Sequence, residues 1–256
     1  MTRSTTLSLV AAFLALGSTQ SFAQTELPGD VSMTANAGLF TDYRFRGISQ
    51  TNKNPAFQGG FDFSHKSGFY LGNWNSNVDA GMYNGGNLEM DFYGGYKGAF
   101  DAFSYDVGVL YYYYPGSGVA GSTKIDNTEL YIAGGWGPFS LKYSYAASDF
   151  FSATDSKGAY YVDGTITYPF TKEFSLIGHV GYQGGLKNGA RVTEIGGTTP
   201  QDSITDWKLG VTYDLKGWVL GASYIGTNRD LTFGTASLEN RNISGDTLVL
   251  SVSKSF

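Results

Sequence analysis

The sequence alternates apolar and polar side chains with a period of two, in segments of about ten residues, from residue 31 to residue 256. In the segment that begins at Phe103, the odd positions are aromatic or aliphatic, whereas the even positions include Ser104, Asp106 and Gly108. A period of two places alternate side chains on opposite faces of a β-strand. Each segment is therefore predicted to be a strand with one apolar face and one mixed polar face.

The connections between these segments alternate strictly, five short and six long. Short turns on one side and long loops on the other are typical of an outer-membrane barrel, in which the turns are periplasmic and the loops extracellular. The predicted fold class is all-β, a transmembrane antiparallel up-and-down β-barrel. Its twelve predicted strands are residues 31–46, 56–64, 69–78, 87–97, 103–114, 127–136, 139–146, 159–168, 174–183, 206–214, 218–227 and 245–256.

Two other all-β classes fit less well. A soluble β-sandwich also alternates, but aliphatic residues should dominate its apolar face and charges its polar face. Here Tyr and Phe number 19 and 18, and charged residues are 15% of the chain, against about 25% in an ordinary soluble domain. A secreted fibre rich in Gly and Tyr would show a fixed-period repeat, and the sequence has none.

The first residues resemble an export signal. Arg3 precedes an apolar run over residues 7–16, and Ser21-Phe22-Ala23 forms a cleavage site of small residues. Beyond residue 23, no window approaches the run of about 18 apolar residues that a transmembrane helix requires. We expect a cleaved signal peptide over residues 1–23, a short periplasmic segment over 24–30 and an outer-membrane barrel over 31–256.

Charge and cysteine usage exclude several classes. The chain has 17 Lys and Arg against 22 Asp and Glu, and this acidic balance argues against a nucleic-acid partner. The absence of Cys removes disulfide scaffolds, thiolate zinc sites, iron–sulfur clusters and cysteine nucleophiles. No pair of histidines has ligand spacing, so neither a metal nor a cofactor is predicted.

The last strand ends in Phe256 and carries Leu248, Leu250 and Val252 on the same face. It resembles the C-terminal signal of outer-membrane proteins, which the barrel-assembly machinery reads. Lys254 departs from that pattern, because an apolar or aromatic residue usually stands there. The resemblance implies the assembly machinery as a partner of Phe256 and outer-membrane lipid as the surroundings.

Three blocks in the first half are similar to a known family. Residues 41–50 read Thr-Asp-Tyr-Arg-Phe-Arg-Gly-Ile-Ser-Gln, and residues 69–78 and 88–96 follow with further matching blocks. They resemble the TorF family of porins, strongly over residues 31–114 and more loosely to the end of the chain. The resemblance implies an outer-membrane barrel of unassigned substrate, and it carries no catalytic residues.

If the aromatic face of each strand is outward, the other face lines a lumen. In the first strand, parity places Tyr43 and Phe45 outside and the charged residues of the same segment inside, near the outer mouth. Inward Phe40, Leu110 and Ile177, with Tyr114 and Tyr161, would narrow the bore. The candidate pore-lining residues are Asp42, Arg44, Arg46, Glu89, Asp91, Tyr93, Asp106, Glu129, Lys142, Asp163, His179 and Lys208.

Two hypotheses compete for the arginines of the first strand. In one, Arg44 and Arg46 face Glu89, Asp91 and Asp163 across the lumen and create a transverse field that orients small polar solutes. In the other, the same charges satisfy one another as a structural network and touch no solute.

The sequence therefore predicts a monomeric channel for passive diffusion of small hydrophilic solutes, and not an enzyme. A closed structural or surface-interaction barrel, with its function in the extracellular loops, is the alternative. A barrel-embedded hydrolase is a third hypothesis, which would require a nucleophile close to His179. Ser175 lies four residues from His179 on the same strand, too far for a direct pair, so a serine from another strand would be needed.

Overall fold

The computed structural model describes residues 25–118, 121–186, 202–233 and 241–256. Within those ranges, twelve long antiparallel strands close into one barrel, which confirms the predicted fold class. With five short strands included, the strands in chain order are β1 (Thr25–Leu27), β2 (Val31–Phe40), β3 (Arg44–Phe45), β4 (Ile48–Ser49), β5 (Ala56–His65), β6 (Phe69–Asn77), β7 (Leu88–Phe100), β8 (Phe103–Tyr113), β9 (Asp126–Trp136), β10 (Phe139–Ala146), β11 (Tyr160–Pro169), β12 (Phe174–Gly184), β13 (Ile204–Leu215), β14 (Trp218–Thr227), β15 (Thr232–Phe233), β16 (Arg241–Asn242) and β17 (Thr247–Ser255).

The barrel closes where the first and last long strands meet. One edge of β2 pairs with β5 over its whole length, and the other edge pairs with β17 over residues 36–40. The free remainder of that second edge is covered by β1, which pairs with residues 31–33. The backbone of Phe256 exchanges two hydrogen bonds with Ala35 between these two pairings. The segment expected to be periplasmic therefore contributes to the seam.

The predicted strand boundaries agree with the structure to within three residues, except in the first strand. That strand was predicted to run to residue 46, and this is wrong, because β2 ends at Phe40. The chain then turns back on itself in a small hairpin, β3–β4. Arg46 and Gly47 have φ values of 48° and 77°. Two successive residues with positive φ form a tight hairpin turn, which a continuous strand cannot contain.

The outer surface of the barrel is apolar and its inner surface is polar. Phe57, Leu71, Ile132 and Leu209 each expose more than half of their surface on the outside. Charged and amide side chains of the same strands are buried inside. This is the reverse of a soluble sandwich, and it indicates a barrel whose wall lies in lipid. The buried polar side chains of the inner face include Gln58, Ser76, Glu89, Asp91, Asp106, Asn127, Glu129, Gln183 and Asp206.

No helix in the described part of the chain is both long and apolar enough to cross a membrane.

The two ends of the barrel differ in the length of the connections between strands. Five turns of two to four residues lie at one end, here called the turn end. Six longer connections leave the opposite end, the loop end. The predicted alternation of short and long connections is confirmed. The long connections that leave from β2, β6, β8, β10, β12 and β14 cover residues 41–55, 78–87, 114–125, 147–159, 185–203 and 228–246.

The apolar core of the molecule lies inside the barrel at the loop end. Its side chains come from the long connections and from the adjoining ends of the strands, so the loops pack into the lumen and against each other. Aromatic rings dominate it, and Tyr83 stacks on Tyr114 with ring centroids 4.3 Å apart. The buried members include Tyr43, Val78, Met82, Tyr83, Leu110, Tyr112, Tyr114, Phe150, Phe151, Leu231 and Ile243.

The apolar outer wall predicts a clear response to a charged substitution. Ile132 is 58% exposed on the outer face of β9. We expect Ile132→Arg to lower the free energy of unfolding by about 2–4 kcal/mol in lipid vesicles, because arginine at the midplane is costly. Equilibrium urea unfolding measures this change.

Glu173→Arg is the control, since Glu173 is exposed in a turn outside the apolar wall. It should leave the unfolding free energy nearly unchanged. A neutral or stabilising effect of Ile132→Arg would show that this surface faces water instead of lipid.

Candidate functional site

The segment of residues 41–55 enters the lumen and closes much of the loop end. We call it the plug. Tyr43 and Phe45 were predicted to face outward, and this is wrong, because both rings pack inside the barrel. The Tyr43 ring lies edge-on to Trp74 at 5.4 Å, and the Phe45 ring lies edge-on to Tyr112 at 5.7 Å. Parity fails here because the strand has already ended at Phe40.

Arg44 holds the plug together. Its Nε donates to Asp42 Oδ2 at 2.6 Å, and the exposed fraction of the Arg44 side chain is only 2%. Its Nη1 donates to the carbonyl oxygens of Gly47 and Ile243, both at 2.9 Å. Asp42 also accepts from Ser49 Oγ at 2.6 Å. Arg44 and Asp42 therefore lie inside as predicted, but their contacts are within the plug and to the connection after β14.

Arg46 ties the plug to the barrel wall. Its Nη2 donates to both carboxylate oxygens of Glu129 at 2.8 Å, and its Nη1 donates to Gln183 Oε1. The guanidinium also lies 4.2 Å from the centroid of the Tyr161 ring. Both partners of its hydrogen bonds belong to long barrel strands, Glu129 to β9 and Gln183 to β12. A nearly buried, charge-assisted pair of this kind, with a second hydrogen bond to another strand, fixes the plug in one position.

Three predicted acids line the wall beneath the plug on β7 and β9. Glu89 Oε1 accepts from the Tyr43 hydroxyl at 2.9 Å, so the plug contacts a second wall residue. Glu129 accepts from Tyr112 at 3.2 Å in addition to its pair with Arg46. Asp91 is 3% exposed, and its Oδ1 is buried without a hydrogen-bond partner. All three side chains point into the lumen, in the predicted direction.

A second group of charges surrounds His179 on β11, β12 and β13. His179 Nε2 lies 2.8 Å from Asp206 Oδ1, and its Nδ1 lies 3.4 Å from Asp163 Oδ2. The Tyr161 hydroxyl donates to Asp206 Oδ2 at 2.9 Å. Lys208 stands opposite His179 in register on the neighbouring strand. His179, Asp163 and Lys208 are three of the twelve predicted pore-lining residues, and the structure places them side by side on neighbouring strands.

The remaining predicted residues lie nearer the turn end. The Tyr93 hydroxyl donates to Asp62 Oδ1 at 2.7 Å. Asp106 Oδ1 accepts from the hydroxyl of Tyr70 at 2.6 Å, and Tyr70 in turn contacts Tyr131. The Lys142 ammonium lies 4.1 Å from the centroid of the Tyr131 ring. Tyrosine hydroxyls thus supply most of the donors that this half of the lumen offers to its carboxylates.

Sequence reasoning missed several residues of the site. Asp206 was not proposed, although parity with Lys208 two residues later would have placed it inside. Phe150 and Phe151 were assigned only to a long loop, and no short-range pattern marks them as core. Within the described ranges, no group of three or more His, Asp or Glu side chains could hold a metal ion.

A family model described as "Bacterial protein of unknown function (Gcw_chp)" matches residues 24–256. The chain belongs to this family. The match covers the whole barrel and the strand β1 that completes its seam. No curated protein matches this family member by sequence.

Solved structures of porins share the fold of this family member. The KdgM porin aligns with a TM-score of 0.52 and 11% sequence identity, over 87% of this chain and 99% of that chain. The NanC porin aligns with a TM-score of 0.53 and 10% identity, over 88% and 98% of the two chains. Both likenesses extend over nearly the full length of the porins, and at this identity they establish the fold alone.

The Arg46–Glu129 pair should make a measurable contribution to stability. We expect Arg46→Ala to lower the free energy of unfolding by about 3–5 kcal/mol, because it leaves Glu129 buried without its cation. The double variant Arg46→Ala/Glu129→Gln should recover part of this loss. Urea unfolding of the wild type, both single variants and the double variant gives the coupling energy.

Lys66→Ala provides a contrast, since Lys66 forms its ion pair with Asp30 on the exposed surface of the turn end. An exposed pair contributes little. Equal losses for Arg46→Ala and Lys66→Ala would contradict the assignment of Arg46 as the tie between plug and wall.

Proposed function

We propose that this protein is an outer-membrane channel for passive diffusion of small hydrophilic solutes, narrowed at the loop end by the plug. One observation carries the proposal: a closed barrel with an apolar exterior encloses charged and polar side chains on the wall beneath the apolar core of the loop end. Polar groups on the lumen face of a transmembrane barrel set solute selectivity. We also propose that the chain is related to the TorF family of porins. We propose further that residues 1–23 are a cleaved signal peptide and that the barrel is a monomer.

The contacts of the two arginines change the expected distribution of charge in the lumen. Arg44 pairs with Asp42 inside the plug, and Arg46 pairs with Glu129 on the wall. These pairs support the hypothesis that the arginines form a structural network. They leave less positive charge to oppose Glu89 and Asp91, so we propose that the passage beneath the plug attracts cationic or neutral solutes more than anions.

A second candidate function is a closed barrel whose loops carry the activity. The observation that favours it is the apolar core at the loop end, where Tyr83, Tyr114 and Phe151 pack together.

A small cavity of about 50 Å³ lies between the plug and β12, lined by Phe45 and Gln183 among others. The plug is thus packed less tightly against this side, where a displacement would open a path.

The hydrolase hypothesis gains no support from the surroundings of His179. Its ring nitrogens contact Asp206, Asp163, Tyr161 and Thr165. Neither Ser nor Cys is among these partners, and the Thr165 hydroxyl, which lies 3.1 Å from His179 Nδ1, donates to Asp163 Oδ1 at 2.8 Å instead of standing free as a nucleophile. The contacts are those of a lumen ion-pair network.

Single-channel conductance in a planar bilayer tests the channel and the role of the plug together. The mature wild type should give small discrete steps. Arg46→Ala should raise the step size by about twofold or more, because the plug loses its ties to β9 and β12 and the narrowest section widens. A salt gradient should show a reversal potential that favours cations.

Asp101→Asn at the turn end serves as the matched control, because it removes an exposed carboxylate far from the plug. Its conductance should equal that of the wild type. If correctly folded wild type and Arg46→Ala both gave no steps, the closed-barrel alternative would replace the channel. Steps of equal size in the two would remove the plug from the conduction path.

A further inference from the structure

Six buried side-chain atoms of the described residues have no hydrogen-bond partner, and three of them lie on the wall beneath the plug. These three are Glu89 Oε2, Asp91 Oδ1 and Asn127 Oδ1, on the inner faces of β7 and β9. All three atoms are acceptors. Buried polar groups in native proteins are nearly always paired, so a local concentration of unpaired acceptors points to a missing donor or cation.

The strand register brings these three residues into one region of the wall. Glu89 and Asp91 are two residues apart on β7, so their side chains share the inner face. Asp91 pairs in register with Tyr112, and Tyr112 pairs with Asn127 on the next strand. Asp91 and Asn127 are therefore about 10 Å apart at the backbone, and the inward side chain of Tyr112, which donates to Glu129, stands on the strand between them.

The protein's own cations do not neutralise these two carboxylates. Arg46 is paired with Glu129, and Arg44 is paired with Asp42. Lys142 is the next cation in this part of the lumen, and its ammonium lies over the Tyr131 ring instead of forming an ion pair. Glu89 and Asp91 are 1% and 3% exposed. An ionised carboxylate at that depth is costly unless a cation accompanies it or a proton neutralises it.

We propose that Glu89, Asp91 and Asn127 form a binding site for a hard divalent cation of the Ca²⁺ type. Carboxylate and amide oxygens are the ligands that such ions prefer, and oxygens on opposite sides of a bound Ca²⁺ are about 5 Å apart. The ion would neutralise the two carboxylates and satisfy the amide oxygen. Because Tyr43 of the plug donates to Glu89, the ion would also stabilise the docked plug.

Terbium luminescence measures this site directly. Tb³⁺ takes the same oxygen ligands as Ca²⁺, and nearby tyrosines such as Tyr43 and Tyr112 sensitise its emission. Titration of the refolded wild type in detergent should give a saturable signal that Ca²⁺ displaces. Asp91→Asn should weaken the Tb³⁺ affinity by about tenfold or more, because it removes one of the two charges and keeps the shape. The matched control Asp101→Asn should bind Tb³⁺ as the wild type does.

A thermal measurement is the independent readout. A ligand that binds only the folded state raises the melting temperature. Ca²⁺ should therefore raise the melting temperature of the wild type and of Asp101→Asn, and leave that of Asp91→Asn unchanged. An unchanged Tb³⁺ titration in Asp91→Asn would overturn the proposal, because the signal would then come from acids elsewhere. The proposal would be overturned equally if Ca²⁺ neither raised the melting temperature of the wild type nor displaced Tb³⁺ from it. That result is expected if the carboxyl groups of Glu89 and Asp91 are neutralised by protons instead of a cation.

The site lies in the same lumen as the proposed channel, but binding at equilibrium does not require conduction. A protein that binds Ca²⁺ and gives no current would refute the channel alone. A protein that conducts and shows no Asp91-dependent binding would refute the cation site alone.

Discussion

The apolar exterior of this barrel is the constraint on which the rest of the structure depends. With lipid-facing side chains outside, almost every charge of the strands has to be placed in the interior, where an unpaired ion costs several kcal/mol. The interior therefore contains ion pairs and tyrosine–carboxylate hydrogen bonds where a soluble protein would have an aliphatic core. Tyr70, Tyr93 and Tyr161 each donate to a carboxylate. These tyrosines supply donors that carry no charge, whereas others, such as Tyr143 and Tyr168, are exposed on the outer face.

The plug contributes to a hydrophobic core that lies inside the barrel at the loop end. Residues 41–55 carry Tyr43 and Phe45 into the loop end, where they meet rings from the wall and from other connections. Arg46 passes beneath these rings and reaches Glu129. Apolar packing lies above and ionic contacts lie below. A solute that entered from the loop end would meet the aromatic layer first and the charges second, which is the order that the proposed function has to accommodate.

The sequence predicted the strands well because a period of two is a local property. Eleven of the twelve barrel strands agree with the structure to within three residues, and the inward direction of residues such as Asp106, Glu129 and His179 followed from parity alone. From residue 41 the parity prediction is wrong, because the alternation of Tyr43 and Phe45 continues although the strand ends at Phe40. The turn at Arg46 and Gly47 depends on contacts with residues more than 80 positions away. No local pattern encodes those contacts, so the plug could not be predicted, and the mutual pairing of the charges could be proposed without the particular partners of Arg44 and Arg46.

The wide separation along the chain between Arg46 and its partners has a kinetic consequence. Glu129 and Gln183 lie 83 and 137 residues from Arg46, on strands β9 and β12. Neither partner is in place until those strands have joined the sheet, so the hairpin near the start of the chain has nothing to dock against early in folding. Insertion of the plug is therefore a late event, which follows assembly of most of the wall. The barrel therefore passes through a stage in which much of its wall is paired and its mouth is still open.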